Sequence, residues 1–534
     1  MTDGPGHPRT RVHHHHRRAR LQPCSAGLKA YATVATLVIS GVRIVLLGAL
    51  LVVLTPPAGA QQIPAHPRDL TFDLLTFEPP DAASHRHVLS NDVVAFVVPD
   101  HTLPLVTVSL LVRTGDYLES SDKAGLAGLV GSQMRAGGTT GMTPTAFDEE
   151  VAFLAAQLGS NIGATIGRAS VNTLTKDLDQ ALDLLFDMVR HPRFDQDRLE
   201  LAKSQVLQQM ERRNDSTQSI EGREWSRLLR GTVHFTTMPT TQASLEAITR
   251  DDLLAFHHEH FHPGGFIFAI SGDVEPDEIL PKLESRMADW SARGVVAEPV
   301  PMPNFEPKPG LYFVDKADVN QGRVSIGHLG TMRDNPDRYA LIVMNDILGG
   351  GGFSARLLTR IRSDEGLAYG ASSAFGLGTY YAGAFRASFQ SRSETVARAS
   401  AIVFEEIARI RSEPVTDAEL RLSIASFVET FTRNFSSSAS IANLFATDEY
   451  TGRDPSYITT YRERISSVTA DDVLRVAQEY LHPDRLVMLV VGNLAAIEAG
   501  DPDNPDFTLD RLIDGTPTLI PLPDPFTMEY PSAR

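Results

Sequence analysis

The chain has 534 residues, too many for one ordinary hydrophobic core, so two or more domains are expected. Its apolar fraction of 42% is that of a globular protein, and its formal charge is −17. Beyond residue 60, 42 Lys and Arg stand against 65 Asp and Glu, a formal charge of −23. No basic stripe accumulates there, which argues against a nucleic-acid-binding protein. The acidic balance is compatible with basic peptides as ligands but more often reflects solubility alone.

The N-terminal segment has the features of an export signal. A basic residue precedes an apolar run from Ile44 to Leu54, and Ala58-Gly59-Ala60 resembles the small-residue site at which a signal peptide is cleaved. We interpret residues 1–60 as a signal peptide with an N-terminal extension, and we expect an exported, periplasmic protein. The alternative is an uncleaved anchor in the inner membrane, because the apolar stretch reaches back to Tyr31 with few interruptions.

The sequence repeats itself at a constant offset. Asp251 to Val274 aligns without gaps with Asp471 to Leu494, with seven identities. Each copy begins with the Thr-x-x-Asp pattern of a helix N-terminus and continues through an amphipathic helix and a His-Pro break into an apolar strand. A second pair, Pro192-x-x-Asp195 and Pro414-x-x-Asp417, aligns at nearly the same offset. The repeat predicts two copies of one domain.

Strands interleaved with pairs of helices predict an α+β fold with two duplicated αβ sandwich domains. Each domain is expected to be a mostly antiparallel sheet covered by helices on one face. The predicted boundaries are 61–294 for the N-terminal domain, 295–310 for a proline-rich linker and 311–500 for the C-terminal domain. The tail over 501–534 is rich in proline and aspartate, and either wraps the surface or is disordered.

One helix of the N-terminal copy resembles the zinc-binding helix of the pitrilysin/insulinase-type peptidases. Residues Ala124 to Met134 read AGLAGLVGSQM, against G-L-A-H-x-x-E-H-M in that family, the inverted H-x-x-E-H class. Gly128 and Ser132 stand at the two histidine positions, and Gly131 stands at the glutamate position. The family's third ligand, a glutamate about 77 residues beyond the second histidine, falls on Gln209.

These replacements remove the metal chemistry that the resemblance implies. In the family, two imidazoles four residues apart share a zinc ion, and the glutamate acts as general base toward water. Glycine offers no side-chain ligand, and a serine hydroxyl or a glutamine amide is a poor substitute. We therefore expect no zinc site at these positions in this chain. We interpret the glycines as small residues that let the helix pack closely on a neighbour.

The C-terminal copy keeps a second signature of the family. Ile347 to Gly370 reads ILGGGGFSARLLTRIRSDEGLAYG, close to G-G-G-x-S-x-R-L-x-x-x-[IL]-R-x-x-x-G-L-A-Y. In active members, an arginine and a tyrosine seven residues later hold the substrate backbone and stabilise the developing oxyanion; they fall on Arg362 and Tyr369. The alternative is that Arg362 pairs with Asp364 or Glu365 on the surface while Tyr369 fills the core.

Four histidines form the remaining metal candidate. The cluster comprises His257, His258, His260 and His262, at the end of a predicted helix. We interpret them as surface and packing histidines rather than as zinc ligands. The glycine run 349–352 is not interpreted as a phosphate cradle, because no G-K-[ST] follows it.

The resemblance covers about residues 70 to 500 and implies two domains per chain, a peptide-holding chamber and a dimer. The erased zinc site beside a retained Arg/Tyr segment predicts the non-metal subunit of a heterodimeric zinc metallopeptidase, inactive alone. A homologous H-x-x-E-H subunit would supply the zinc, and this chain would supply Arg362, Tyr369 and half of the chamber for a peptide substrate. The alternative is a non-catalytic peptide-binding or scaffold protein of the same fold. A self-sufficient hydrolase is less well supported, because the sequence has no nucleophile elbow and no H-x-x-E-H motif elsewhere.

Overall fold

The computed structural model describes residues 70, 77–90, 92–290, 298–513 and 517–531. The predicted signal segment 1–60 and part of the predicted linker therefore lie outside the described residues. The described residues from 77 onward belong to one compact unit. None of the helices in the described ranges is both long enough and apolar enough to cross a membrane.

The N-terminal half contains one six-stranded sheet. Its strands are β1 (Arg86–Val88), β2 (Val94–Pro99), β3 (Leu105–Val112), β4 (Gln157–Ile162), β5 (Gly167–Leu174) and β6 (Phe266–Gly272). Their order is β1-β2-β6-β3-β5-β4, and β2 and β6 are the parallel pair in an otherwise antiparallel sheet. The helices are α1 (Ala82–His85), α2 (Leu126–Ala136), α3 (Pro144–Phe153), α4 (Leu178–Arg190), α5 (Gln196–Glu211), α6 (Thr217–Arg230), α7 (Gln242–Ala247), α8 (Arg250–His260) and α9 (Pro276–Met287).

The C-terminal half repeats this plan. Its strands are β7 (Gly310–Asp315), β8 (Gln321–Leu329), β9 (Thr331–Met332), β10 (Ala368–Phe375), β11 (Leu377–Gly378), β12 (Ala384–Arg392), β13 (Val487–Gly492) and β14 (Thr518–Leu519). The six-stranded sheet has the order β10-β12-β8-β13-β7-β14, and the short strands β9 and β11 pair with each other. The helices are α10 (Arg338–Asn345), α11 (Arg356–Leu358), α12 (Val396–Ser412), α13 (Asp417–Thr430), α14 (Ser438–Thr451), α15 (Ser456–Ser466), α16 (Ala470–Tyr480) and α17 (Leu494–Ala499). Two π-helical segments, Asp346–Gly350 and Thr359–Asp364, flank α11.

The predicted duplication and the predicted α+β fold are confirmed. Strands β2, β6, β3, β5 and β4 of the first sheet occupy the same order as β7, β13, β8, β12 and β10 of the second. Helices α8 and α16 both begin at a capping box, formed by Thr249 with Asp252 and by Thr469 with Asp472. The Thr-x-x-Asp pattern predicted these helix starts because its two side chains satisfy backbone N–H groups that the first turn leaves unpaired.

Helix α6 of the N-terminal half packs on the sheet of the C-terminal half. It contacts β13 and β8. Its apolar face carries the buried residues Ile220, Trp225 and Leu229, which cluster with Val314, Val487, Leu489 and Val491. The covered face is the one opposite the helices of the C-terminal half, so α6 supplies a third layer to that sheet.

Helix α14 of the C-terminal half does the same for the N-terminal sheet. Its start at Ser438 follows the start of α6 at Thr217 by nearly the offset of the sequence repeat, and it contacts β6, β2 and β3. The ring centroid of Phe445 lies 5.8 Å from that of Phe96 on β2, and the Tyr450 hydroxyl donates to a backbone carbonyl of the N-terminal half at 2.6 Å. The two halves have therefore exchanged equivalent helices, which places part of each core in the opposite half of the sequence.

A buried ion cluster fixes α6 on the C-terminal sheet. Glu221 is 1% exposed and accepts hydrogen bonds from Ser325 on β8 at 2.5 Å and from Arg386 on β12 at 2.7 Å. The Arg323 guanidinium of β8 also donates to the Glu221 carboxylate. A carboxylate buried with this set of donors is costly to leave unpaired, so the cluster specifies where α6 docks.

The described part of the C-terminal tail wraps the surface. Strand β14 adds to β7, and the Pro523 carbonyl accepts from the Asn214 side chain at 2.8 Å. Further along, the Tyr530 hydroxyl donates to the buried Glu224 of α6 at 2.7 Å. The tail thus connects the edge of the C-terminal sheet with the helix that the N-terminal half contributes.

Replacing Trp225 tests the helix exchange. We expect Trp225→Ala to lower the free energy of unfolding by about 3–5 kcal/mol, because the substitution leaves a cavity between α6 and the C-terminal sheet. Chemical denaturation followed by circular dichroism measures this. Ser219→Ala, on the exposed side of the same helix, should change stability by less than about 0.5 kcal/mol. Equal stabilities of the two variants would contradict the packing described here.

Candidate functional site

Helix α2 carries three of the four positions of the expected metal site, and it packs directly against strand β4. A Cβ atom added to Gly131 would lie 2.3 Å from the Ile162 nitrogen and 2.7 Å from the Asn161 carbonyl carbon. The Ser160 hydroxyl donates to the Gly131 carbonyl at 2.6 Å. The interpretation that glycine permits close packing is confirmed at this position. The place of the family's general base is therefore filled by the backbone of β4.

The same interpretation is wrong for Gly128. Gly128 is exposed, and a Cβ atom there would meet no heavy atom within 4 Å. Its side of α2 faces solvent, whereas Gly131, nearly one turn further along, faces the sheet. The sequence alone could not separate the two glycines, because the difference depends on the angle at which α2 crosses β4.

The side chains at these positions do not fit a zinc ion. Ser132 is exposed, and its hydroxyl donates back to the Leu129 carbonyl at 3.1 Å. Gln209 is exposed on α5 and offers only a neutral amide. Across the described ranges, no group of three His, Cys, Asp or Glu side chains is placed to hold a metal ion. No step of metal chemistry can be built on this donor set.

The histidine cluster is used for packing. His257 is buried; its Nε2 donates to the Val189 carbonyl at 2.7 Å, and burial lowers the pKa of the ring to about 4. The His260 ring lies 4.5 Å from the Phe256 ring, and His258 is exposed. The interpretation as surface and packing histidines is confirmed for these three residues.

A half-buried carboxylate that sequence reasoning missed caps helix α2. Glu119 accepts hydrogen bonds from the backbone N–H groups of Gly125 at 2.8 Å and Ala127 at 2.5 Å, at the start of α2. Burial raises the pKa of Glu119 to about 7, against the opposing effect of the two hydrogen bonds. The sequence signal was weak, because the capping residue stands seven positions before the helix and not at its N-cap.

In the C-terminal half, strands β8, β12 and β10 and the glycine-rich segment line an open groove of about 760 Å³. Both Arg362 and Tyr369 line it. The Arg362 guanidinium carbon lies 4.6 Å from the Tyr369 ring centroid and 4.9 Å from the Phe353 ring centroid. Tyr369 is 85% exposed at the start of the edge strand β10, so its hydroxyl is open to the groove.

The alternative prediction for this segment, in which Arg362 pairs with Asp364 or Glu365 and Tyr369 fills the core, is not observed. Glu365 pairs with Arg398, and in the described part of the chain Arg362 takes part in no ion pair with Asp364 or Glu365. Tyr369 does not fill the core. The structure thus brings together the two residues that the family signature marks, while their catalytic roles stay predictions.

Two neighbouring arginines on the same segment, Arg356 and Arg360, are held in ion pairs. Arg356 is 8% exposed and makes a two-pronged ion pair with Glu419, at 2.7 and 3.0 Å. Burial alone would raise the pKa of Glu419, but the hydrogen bonds from Arg356 and Thr416 lower it to about 2. Arg360 pairs with Glu405 at 2.8 Å and with the buried Glu406 at 3.0 Å. These ion pairs anchor the segment on α12 and α13 and leave Arg362 facing the groove.

The glycine run serves close packing. A Cβ atom at Gly349 would lie 2.4 Å from the Ser373 nitrogen on β10. Asn345 and Ser373 exchange hydrogen bonds beside it, at 2.8 and 3.2 Å. The glycine-rich segment can therefore lie directly on the edge strand and form one wall of the groove.

Comparison with known proteins assigns the family. The profile described as "Insulinase (Peptidase family M16)" matches residues 95–242, and the one described as "Peptidase M16 inactive domain" matches residues 247–427. Together they span more than half of the chain. The chain belongs to the insulinase/pitrilysin (M16) family and is a homologue of its zinc proteases.

Relatives and solved structures agree with this assignment. The chain is 25% identical over 347 residues to an uncharacterized zinc protease of Bacillus subtilis, covering 63% of this chain and 80% of that protein. It is 27% identical over 350 residues to one of Mycobacterium bovis, covering 64% and 78%. The crystal structure of a peptidase M16 inactive domain from Pseudomonas fluorescens shares the fold, with a TM-score of 0.69, 23% identity and coverage of 76% and 97%. A periplasmic protease of Escherichia coli does so with a TM-score of 0.64, 16% identity and coverage of 81% and 49%.

Two alanine substitutions on one helix should have opposite effects. Gly131→Ala forces α2 away from β4 and should cost about 1–3 kcal/mol. Gly128→Ala has open space and gains helix propensity, so it should stabilise by up to about 1 kcal/mol. Thermal unfolding of both variants measures the difference. If Gly131→Ala were as stable as Gly128→Ala, the close approach of helix and strand would be wrong.

The half-buried carboxyl of Glu119 should make stability depend on pH. Because its folded pKa is raised to about 7 above the unfolded value of about 4.3, its contribution is fully present at low pH and is lost as the pH rises through 7. Glu119→Gln should remove this part of the decline between about pH 4 and 7, measured as the thermal midpoint across pH. Glu211→Gln, at an exposed site, is the control and should keep the wild-type profile.

Proposed function

We propose that this chain is the non-metal subunit of a heterodimeric zinc metallopeptidase. A homologous subunit with an intact H-x-x-E-H helix supplies the zinc, and this chain supplies Arg362, Tyr369 and half of the peptide chamber. The observation that carries the proposal is the contrast between the two halves. The N-terminal half has no ligands at the metal positions and no room at Gly131, while the C-terminal half presents the Arg/Tyr pair in an open groove.

Arg362 and Tyr369 can bind a peptide and stabilise its developing oxyanion without a metal ion in this chain. Arg362 and Tyr369 both donate hydrogen bonds, and the guanidinium adds a positive charge that stays at all working pH values. Stacking of Arg362 between the Phe353 and Tyr369 rings holds its donors at the groove before substrate arrives. Donors fixed in this way stabilise negative charge that develops on a substrate carbonyl oxygen. The partner's zinc would activate the attacking water when bound.

The edge strand β10 gives the peptide a place to lie. It is the outermost strand of its sheet, and an edge strand can pair with an extended chain. Tyr369 and Gly370, the second and third residues of this strand, line the groove. A substrate that adds to β10 would pass directly beside the Arg362 guanidinium.

We also propose that the protein works in the periplasm. The support is the signal-like segment before residue 61 and the fold shared with a periplasmic protease of Escherichia coli. Cell fractionation separates this from the anchored alternative, since an uncleaved N-terminal segment would keep the chain with the inner membrane.

Reconstitution with a homologous subunit that carries an intact H-x-x-E-H helix tests the proposal. Neither subunit alone should cleave a peptide well, whereas the mixture should. Arg362→Ala and Tyr369→Phe should each lower kcat/KM of the mixture by about 10²–10³-fold, because each removes a donor from the developing oxyanion. Arg511→Ala, in the tail and outside the groove, is the control for loss of one exposed arginine.

Three outcomes would count against the shared site. Unchanged rates in both groove variants would leave this chain a peptide-binding or scaffold subunit of the same fold. No activity in any mixture would remove the catalytic partnership altogether. Stoichiometric zinc and proteolysis in the purified chain alone would show a self-sufficient enzyme.

A further inference from the structure

The groove around Arg362 has a charge opposite to that of the whole chain. The chain has a formal charge of −17, yet three arginines line the groove: Arg323, Arg362 and Arg392. Among its described lining residues there is no aspartate or glutamate. The other polar lining side chains include the neutral Gln321, Gln390, Ser372 and Ser388.

The nearby carboxylates do not cancel this charge. Arg323 shares the buried Glu221 with Arg386, so two guanidinium groups face one carboxylate. Arg362 has no ion-pair partner among the described residues. One positive charge from the shared cluster and one from Arg362 therefore remain at the groove.

The rim of the groove adds little negative charge. Arg392 pairs with Glu394 at 3.3 Å, but both side chains are about half exposed or more, and Asp501 also lies near Arg392. Such exposed pairs are weak and leave the guanidinium able to change partners. Asp318 lines the adjoining pocket, where Lys316 binds both of its carboxylate oxygens at 2.9 and 3.0 Å.

A second cleft repeats the pattern. It has a volume of about 350 Å³ and adjoins the other end of β12, at Gly383. Arg168 of the N-terminal half and Arg230 of α6 line it, again with no carboxylate among its described lining residues. The two clefts lie at opposite ends of one strand and have the same sign of charge.

From this lining we infer that the groove selects acidic peptide segments, with Asp or Glu side chains bound by Arg392 and attracted by the positive charge of Arg323 and Arg362. The inference rests on the proposed function, from which it takes that the groove binds a peptide. It adds the chemical class of that peptide. A carboxylate matches the planar fork of a guanidinium, and a cleft lined by one sign of charge concentrates ligands of the opposite sign. This differs from the overall acidic composition, which is compatible with basic peptides as ligands but more often reflects solubility alone.

Binding by the purified full chain, without the partner, tests this. Three fluorescent peptides of equal length would carry Glu, Gln or Lys at the same positions, and fluorescence anisotropy would give their Kd values. At low ionic strength, we expect the Glu peptide to bind roughly tenfold more tightly than the Gln peptide, and the Lys peptide to bind most weakly. The differences should shrink at about 0.5 M salt. Because the chain as a whole is acidic, tight binding of the Glu peptide requires a local cationic site.

A matched pair of variants locates the site. Arg392→Glu should abolish the preference for the Glu peptide or reverse it. Arg511→Glu makes the same change in charge in the tail: the Arg511 side chain is 62% exposed against 63% for Arg392, and the two have acidic neighbours at 3.5 and 3.3 Å, respectively. It should keep the wild-type ranking. Arg392 lies outside the Arg/Tyr pair, so its effect separates charge selection from backbone binding by Arg362.

Each contrary result has a separate meaning. Equal Kd values for the three peptides, a preference for Lys, no binding of any peptide, or the same shift in both variants would overturn charge selection. Cleavage in the reconstituted mixture could still support the proposed function in those cases. A preference for the Glu peptide with no cleavage in any mixture would keep charge selection and remove the catalytic proposal.

Discussion

The exchange of helices α6 and α14 is the packing on which the rest of the molecule depends. Each helix covers the sheet of the other half, and the buried Glu221 with Arg323 and Arg386 fixes the position of α6. Arg323 also lines the groove, so the ion cluster that joins the halves contributes directly to the charge of the candidate site. Fold stability and groove electrostatics are thus coupled through one carboxylate.

The two halves have diverged in what their equivalent segments do. In the N-terminal half, the helix that follows the second long strand lies against the edge strand so closely that Gly131 has no room for a side chain. In the C-terminal half, the equivalent region is a glycine-rich π-helical turn, and it leaves a groove beside its edge strand. Gly349 of that turn lies just as close to the backbone of β10, so both halves pack a glycine against an edge strand. The C-terminal half also carries the groove that Arg362 and Tyr369 line.

The sequence predicted features that depend on local pattern or on a repeat. The capping boxes at Thr249 and Thr469 were found because the residues that form each box lie within a few positions of one another. The duplicated strands were found because the sequence repeats itself at a constant offset. The signature segment placed Arg362 beside Tyr369, and the structure has them in contact. Trp225 gave no signal in the sequence, because its partners come from strands in the other half.

Other features depended on distances that no single-sequence pattern contains. Gly128 and Gly131 look alike in the sequence, yet one faces solvent and the other faces the backbone of β4. Glu119 caps α2 from outside the usual capping position, so the capping rules did not find it. The local charge of the groove is opposite to the overall charge, because the acidic residues lie mostly elsewhere.

The exchanged helix also sets the order in which the polypeptide can mature. Almost half of the chain lies between the end of α6 at Arg230 and the start of β13 at Val487, so the apolar side of α6 has no complete sheet to cover until nearly all of the chain has been made. The half that is synthesised first is therefore unable to complete its own core while the ribosome is still at work. A polypeptide built in this way stays incompletely folded until nearly all of it has been synthesised, and it reaches its compact form only after its last segment is free to pack.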